Sequence, residues 1–231
     1  MAHPAATQSS GQHPAPDADE FLGSILGSLR STPVSLAVVW LALVALGVAG
    51  RLWQPAWHVT PMAAVALAAG AVFHNPIVAA SVPLVALVLS NLGLDAYDSL
   101  PMAAVVCAAT AWPVLLGGIL RRMAAGGRAR AVLAVLGGAI ASSLVFFLVT
   151  NLAFWWFTAE YPHTAEGLAA CFVAALPFYR WMPVGDLAWT AVTFAGLMAM
   201  ARALDSVATR RLQPLAAATQ SSPAKRASDV A

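Results

Sequence analysis

The 231-residue chain is 60% hydrophobic and 10% charged, whereas a soluble domain carries roughly 25% charged residues. Its net charge of +2 fits the basic cytoplasmic loops of a membrane protein better than a nucleic-acid surface, so no nucleic-acid partner is expected. The apolar residues come in blocks too long and continuous to be the one-sided stripes of surface helices, which excludes a single soluble core and makes the lipid bilayer the expected surroundings.

In chain order, residues 1–32 are rich in Pro, Ala, Ser, Gln and Gly and include Asp17, Asp19 and Glu20. They lack the basic-then-apolar order of a cleavable signal peptide. They are expected to form a disordered cytoplasmic tail, with the apolar patch Phe21 to Leu29 as an interfacial helix in the less favoured reading. The first membrane helix then serves as an uncleaved signal-anchor.

A transmembrane helical domain is expected over 33–205. Apolar blocks run Val34 to Gly50, Met62 to Phe73, Ile77 to Leu94, Met102 to Leu120, Ala131 to Phe157 and Leu187 to Met200. Since about 20 helical residues cross a bilayer core, six spans are the economical count. Between Tyr161 and Tyr179 a shorter segment contains Glu166 and ends near Pro177; it is read as a re-entrant or interfacial helix. Residues 206–231 read as a disordered cytoplasmic tail. The predicted fold class is therefore all-α, a polytopic transmembrane bundle of about six spans plus one short helix.

Orientation follows the arginines, which stay cytoplasmic. The loop Arg121 to Arg130 carries four of them and no acid, so it is assigned to the cytoplasm. Counting spans then places both termini inside and the Asp95 to Ser99 and Thr158 to Thr164 loops outside. Arg202, Arg210, Arg211, Lys225 and Arg226 fall inside only if the 161–179 segment does not cross. Trp53, Trp57, Trp155, Trp156, Tyr161, Tyr179 and Trp181 would mark the outer interface.

Several features invite a functional reading. The second block is built of small residues, among them the pairs Ala64/Ala68 and Ala66/Gly70, which let helix backbones approach closely. Internal packing is favoured there over a half-helix lining a midplane site or docking a partner. Thr60-Pro61 offers that helix a start, with the Thr hydroxyl as cap. Asn75, Asn91 and Asn151 lie within or at the ends of spans, and a buried amide costs several kcal/mol unless paired. Asn151 is read first as interhelical glue. The alternative is an outward pocket formed by Thr150, Asn151, Trp155, Tyr161, Thr164, Glu166 and Asn91. Asp186, after Pro183 and Gly185, is read as the N-cap of the last helix, and Glu166 as serving its own short helix in the same way.

No nucleophile elbow, HExxH pair, Gly-rich phosphate loop or metal-ligand cluster occurs. His58, His74 and His163 are scattered rather than set at ligand spacing, and Cys107 and Cys171 read as small buried residues. Neither an enzyme, a metal site nor a cofactor is expected.

Specific stretches resemble a bacterial membrane family, the domain of unknown function 6580 family. They are Thr60-Pro61-Met62-Ala63-Ala64 through Gly70, Val82-Pro83-Leu84 through Ser90-Asn91, and Phe146-Phe147-Leu148-Val149-Thr150-Asn151 with Trp155. Tyr161-Pro162, Gly167-Leu168, Cys171, Ala175 to Phe178, Gly185-Asp186 and Phe194 complete the set. The likeness covers roughly residues 51–200. His58 stands where the family pattern favours Asn, and Ser90-Asn91 where it favours Ser-Asp. Some members carry a transport label, so the resemblance implies a small-solute transport protein of the inner membrane. A looser likeness to the substrate-binding components of energy-coupling-factor vitamin transporters implies a substrate-capture subunit with transporter subunits as partners. The rival expectation is a non-transporting membrane scaffold or assembly factor.

Overall fold

The computed structural model describes residues 21–53, 59–94 and 99–220. The tail over 1–20, Trp57, His58, the Asp95 loop and the tail beyond 220 lie outside these described residues, as do the readings made of them. Within them the chain is helical throughout, in nine α-helices: α1 (Phe21–Leu29), α2 (Pro33–Leu52), α3 (Met62–Val72), α4 (Pro76–Asn91), α5 (Leu100–Ala111), α6 (Gly117–Ala124), α7 (Arg128–Phe157), α8 (Ala165–Tyr179) and α9 (Met182–Gln220).

The helix starts follow local chemistry. Thr32, Asn75, Ser99 and Thr164 each accept a first-turn amide through the side chain, and Pro33, Pro76 and Leu100-Pro101 place proline where its missing N–H costs nothing. Pro113 cannot donate back along α5, and the chain tightens into a 3-10 turn over Trp112–Leu116 before α6 resumes. The turn into α7 is made by Gly127 at φ 108°, a conformation that costs glycine little.

Four stretches are long and apolar enough to cross a membrane: Pro33–Leu52, Leu100–Ala124, Arg128–Phe157 and Met182–Val207. That is fewer than the six spans predicted, because α3 and α4 are apolar but short; α8, not counted as a span, is short as well. The surface is apolar and the interior partly polar. Val34, Leu41, Ile77, Leu100, Leu115, Leu133 and Val173 are exposed, while Ser35, Ser90, Thr110, Ser142, Ser143, Asp186, Thr190 and Thr193 are buried. Such a surface belongs in hydrocarbon.

The hub is α3. Every residue from Ala64 to Val72 is buried, and α3 packs against α2, α4, α5, α6, α7 and α9. Gly70 and Gly117 bring α3 and the start of α6 into backbone contact, since a Cβ on either would overlap main-chain atoms of the other segment. Ala64, Ala66, Ala68 and Gly70 therefore act in internal packing, and a partner cannot reach them.

At the end of α3 the carbonyls are fully accounted for. Ala69 O accepts from Phe73 N at 2.8 Å, Gly70 O from the Arg121 guanidinium, Ala71 O from Arg30 Nη2, and Val72 O from Arg30 Nε at 2.6 Å. These are the four acceptors that a helix end leaves unmatched. The charge of Arg30, then partial burial, then the charge of Arg121 also hold the adjacent His74 imidazole below its ordinary value of 6.5.

Two expectations are corrected. Phe21–Leu29 is a helix whose Ile25, Leu26 and Leu29 are buried against the bundle, because the bundle offers those side chains an apolar groove that an isolated tail lacks. The last helix runs on to Gln220 rather than ending near 205. The short segment lies along α7: Phe147 packs on Phe172 and Tyr179, and Cys171 Sγ approaches Asn151 O at 3.6 Å. From Met182 onward α9 follows the remaining half of α7, where Asp186 meets Ser143 and Leu187 and Phe194 pack near Ala134 and Ala139. Together α8 and α9 run antiparallel to α7, with a break at Arg180 and Trp181.

Gly70→Ala is expected to cost about 3 kcal/mol, the upper end of overpacking penalties, because backbone lies on both sides of the contact. Gly137→Ala, with open space around it, should instead gain roughly 0.5–1 kcal/mol. Thermal unfolding in detergent micelles separates the two.

Arg30→Gln should raise the His74 midpoint, read by NMR of the imidazole. With Arg30 present, the unfolded chain takes a proton that the folded one resists, so stability from this group falls as pH drops through about 6.5.

Candidate functional site

A cavity of about 450 Å³ opens between α2, α3, α4, α5, α7 and α9. Most of its wall is apolar, including Leu87, Met102, Val106, Phe146 and Met182, with Thr60, Thr110, Ser142 and Thr150 as hydroxyl groups. Two formal charges complete it: Arg51 and Asp186. Its volume lies within the range of small-molecule sites.

Arg51 stands one residue from the end of α2. Its Nη1 donates to Ser90 Oγ and Asn91 Oδ1, both at 2.9 Å, and to Leu87 O at 3.3 Å. Ser90 can accept because its own proton goes to Ala86 O at 2.7 Å. The guanidinium is thus held to α4 by three neutral acceptors through one nitrogen. Close by, the ring of Pro61 packs against Gly50, so α3 begins beside Arg51. Among the described residues no side chain caps α3, and Met62 and Ala63 of its first turn line the cavity. The positive end of the α3 dipole therefore faces the same space as Arg51.

Asp186 lies on the opposing element, α9, and is only 7% exposed. Its Oδ2 accepts from Ser143 Oγ at 2.5 Å. Ser143 is 15 residues into α7 and 14 from its end, so the carboxylate lies roughly 21–22 Å from either end of that helix at 1.5 Å per residue. The N-cap expected of Asp186 is corrected: α9 starts at Met182, with Pro183 accommodated in the first turn, and Asp186 falls inside the helix. The Thr60 cap is corrected likewise, since Pro61 occupies the cap position with no side-chain bond.

The predicted pocket residues separate into two groups. Thr150 lines this cavity and also a smaller one of about 170 Å³ beside it, which Asn151 lines too. Both side chains bond back to their own helix, Thr150 Oγ1 to Phe146 O and Asn151 Nδ2 to Phe147 O, each at 2.7 Å. Asn91 sits behind the wall, steering Arg51. Trp155, Tyr161, Thr164 and Glu166 line neither cavity and instead build the connection between α7 and α8. Trp155 Nε1 donates to Pro162 O at 2.9 Å, Tyr161 meets Phe154 edge-on, and Thr164 caps α8 through Gly167 N at 3.1 Å. Glu166 lies exposed in the first turn of α8, beside that cap rather than in its place.

Arg51 and Ser143 were not among the predicted site residues, and Asp186 was assigned a different role. The available signal was the isolation of each charge: Arg51 closes an otherwise uncharged helix, and Asp186 follows a proline that can itself start one.

An all-α bundle with long apolar helices and a charged inner cavity fits the class of membrane proteins. The chain belongs to the family described as "Family of unknown function (DUF6580)", which matches residues 31–209. No curated protein and no solved structure matches it.

Ser143→Ala removes the hydrogen-bond donor from a buried carboxylate and should lower stability by about 1–3 kcal/mol. Ser142→Ala removes a hydroxyl that donates within its own helix, to Gly138 O, and should change stability by about 0.5 kcal/mol or less. Chemical unfolding in micelles reads both.

Proposed function

We propose that this protein captures a small solute within the membrane, as a transport protein or as the substrate-capture subunit of one. The observation that carries this reading is the cavity itself. It is apolar over most of its wall yet holds a cation and a buried carboxylate on different helices, an arrangement whose desolvation cost is hard to account for in a bundle built for packing alone.

In this reading the chain traverses the bilayer six times. Helices α2, α4 and α7 run one way; α3, the α5–α6 pair and the α8–α9 pair run the other. Helix α3 is too short to cross alone, but Ala64 to Val72 are buried in protein rather than facing lipid, which makes a short crossing tolerable. Arg30, Arg121, Arg122, Arg128 and Arg130 gather toward one end, supporting a cytoplasmic assignment for that end and for both termini in the inner membrane. The cavity then opens from the side where α2 and α4 finish. A chain of this kind needs no catalytic group, and none is assigned.

The test uses protein in lipid nanodiscs and a broad panel of metabolites and vitamins. At least one member should raise the unfolding temperature, since a solute at 100 times its dissociation constant stabilises by about 2.7 kcal/mol. Ala109→Phe, which fills the cavity from α5, should abolish the response while the protein still unfolds cooperatively. A panel without any response, together with a stoichiometric partner recovered after mild solubilisation, would overturn capture in favour of a scaffold.

A further inference from the structure

Two opposite formal charges line one cavity, and among the described residues neither has a counter-ion. Asp186 has one hydrogen bond, from Ser143 to Oδ2, and a neutral hydroxyl does not balance a carboxylate taken out of water. Among the described residues Arg51 bonds only neutral acceptors, and only through Nη1, which leaves Nε and Nη2 for another group. The two are not paired with each other: Arg51 is held to α4 and Asp186 to α7.

Resting on the capture reading above, we infer that the solute is a small zwitterion with an apolar body. Its carboxylate faces Arg51 and the uncapped start of α3, and its ammonium faces Asp186. A solute with only an anionic group would satisfy one wall and leave the buried carboxylate unmatched; one with only a cationic group would do the reverse. Met102, Val106, Phe146 and Met182, which line the same cavity as the two charges, select an aliphatic or aromatic body over a sugar-like one, whose hydroxyls would lack partners there. The open first turn of α3 adds amide donors on the Arg51 side, so the carboxylate end is the more heavily hydrogen-bonded of the two.

The experiment measures affinities in nanodiscs for matched sets of probes. The zwitterions are leucine, phenylalanine, 5-aminovalerate and 8-aminooctanoate; the controls are the corresponding monoacids and monoamines. At least one zwitterion should bind ten-fold or more tighter than both of its singly charged counterparts. Asp186→Asn should bring that zwitterion down to the monoacid's affinity, and Arg51→Gln should bring it down to the monoamine's. Asp186→Glu, which keeps the charge, should restore part of the preference, and each variant's unfolding midpoint without solute verifies its fold.

A monoacid binding as tightly as its zwitterion overturns the inference, because Asp186 then takes no ammonium. A zwitterion preference that survives Asp186→Asn overturns it equally. In both cases capture stands, since a solute has bound. Capture itself falls only if the broad panel also fails, so the two failures are distinguishable.

Discussion

The rest of the structure depends on two guanidiniums closing the end of a buried helix. Without water around α3, its last carbonyls must find donors or leave several kcal/mol unmet. Arg30 supplies two bonds and Arg121 one. This ties the junction of α1 and α2 and the end of α6 to one end of the hub. Once that end is fixed, the glycine contact between Gly70 and Gly117 sets how closely α6 approaches. The opposite end of α3 is left open beside Arg51. The same helix is thus sealed at one terminus by cations and unsealed at the other, where the cavity lies.

Polarity inside the bundle is mostly self-contained. Ser90, Ser142, Thr150 and Thr158 donate to carbonyls four residues earlier on their own helices, as does the Asn151 amide. Bonds of this kind let polar side chains sit in an apolar interior without reaching across it. Cross-helix polar bonds mark the positions that matter for geometry, among them Trp40 to Ser81, Arg51 to Ser90 and Asn91, and Ser143 to Asp186. The buried hydroxyls of Thr190 and Thr193 have no partner among the described residues. Four and seven residues beyond Asp186, they lie on its face of α9. The unmet polarity of that helix therefore continues inward from the cavity.

Helix positions were legible in the sequence wherever a block was apolar from end to end, and the edges of α2, α4 and α7 agree closely with those blocks. The fate of Phe21 to Leu29 was not, because a nine-residue segment with its apolar side chains interrupted by Gly23, Ser24, Gly27 and Ser28 is equally consistent with a free tail until a groove exists to receive it. The 161–179 segment was legible as a short helix, and α8 is too short to cross by itself; that it lies along α7 is a tertiary fact no local pattern carries. The outer pocket was half legible: Thr150, Asn151 and Asn91 lie at or behind cavity walls, but Trp155 to Glu166 belong to a connection that the helix pattern could not separate from a site. Arg51 and Asp186 are 135 positions apart, and nothing local in either stretch announces the other.

What keeps the cavity open is competition between short hydrogen bonds and a longer-range attraction. Unit charges 4 Å apart at an effective dielectric near 20 attract by about 4 kcal/mol, enough to draw flexible side chains together across a gap. Here each is restrained from behind. Asn91 and Ser90 hold the guanidinium at α4, and Ser143 holds the carboxylate at α7, so collapse would exchange existing bonds for the new one. Asn91, expected as a ligand residue, thereby acts at one remove, by fixing where the cation stands. The helices that carry these restraints, α4 and α7, are also the ones that run parallel to α2 around the hub. The separation of the two charges is therefore set by the packing of whole helices, which is stiffer than any loop.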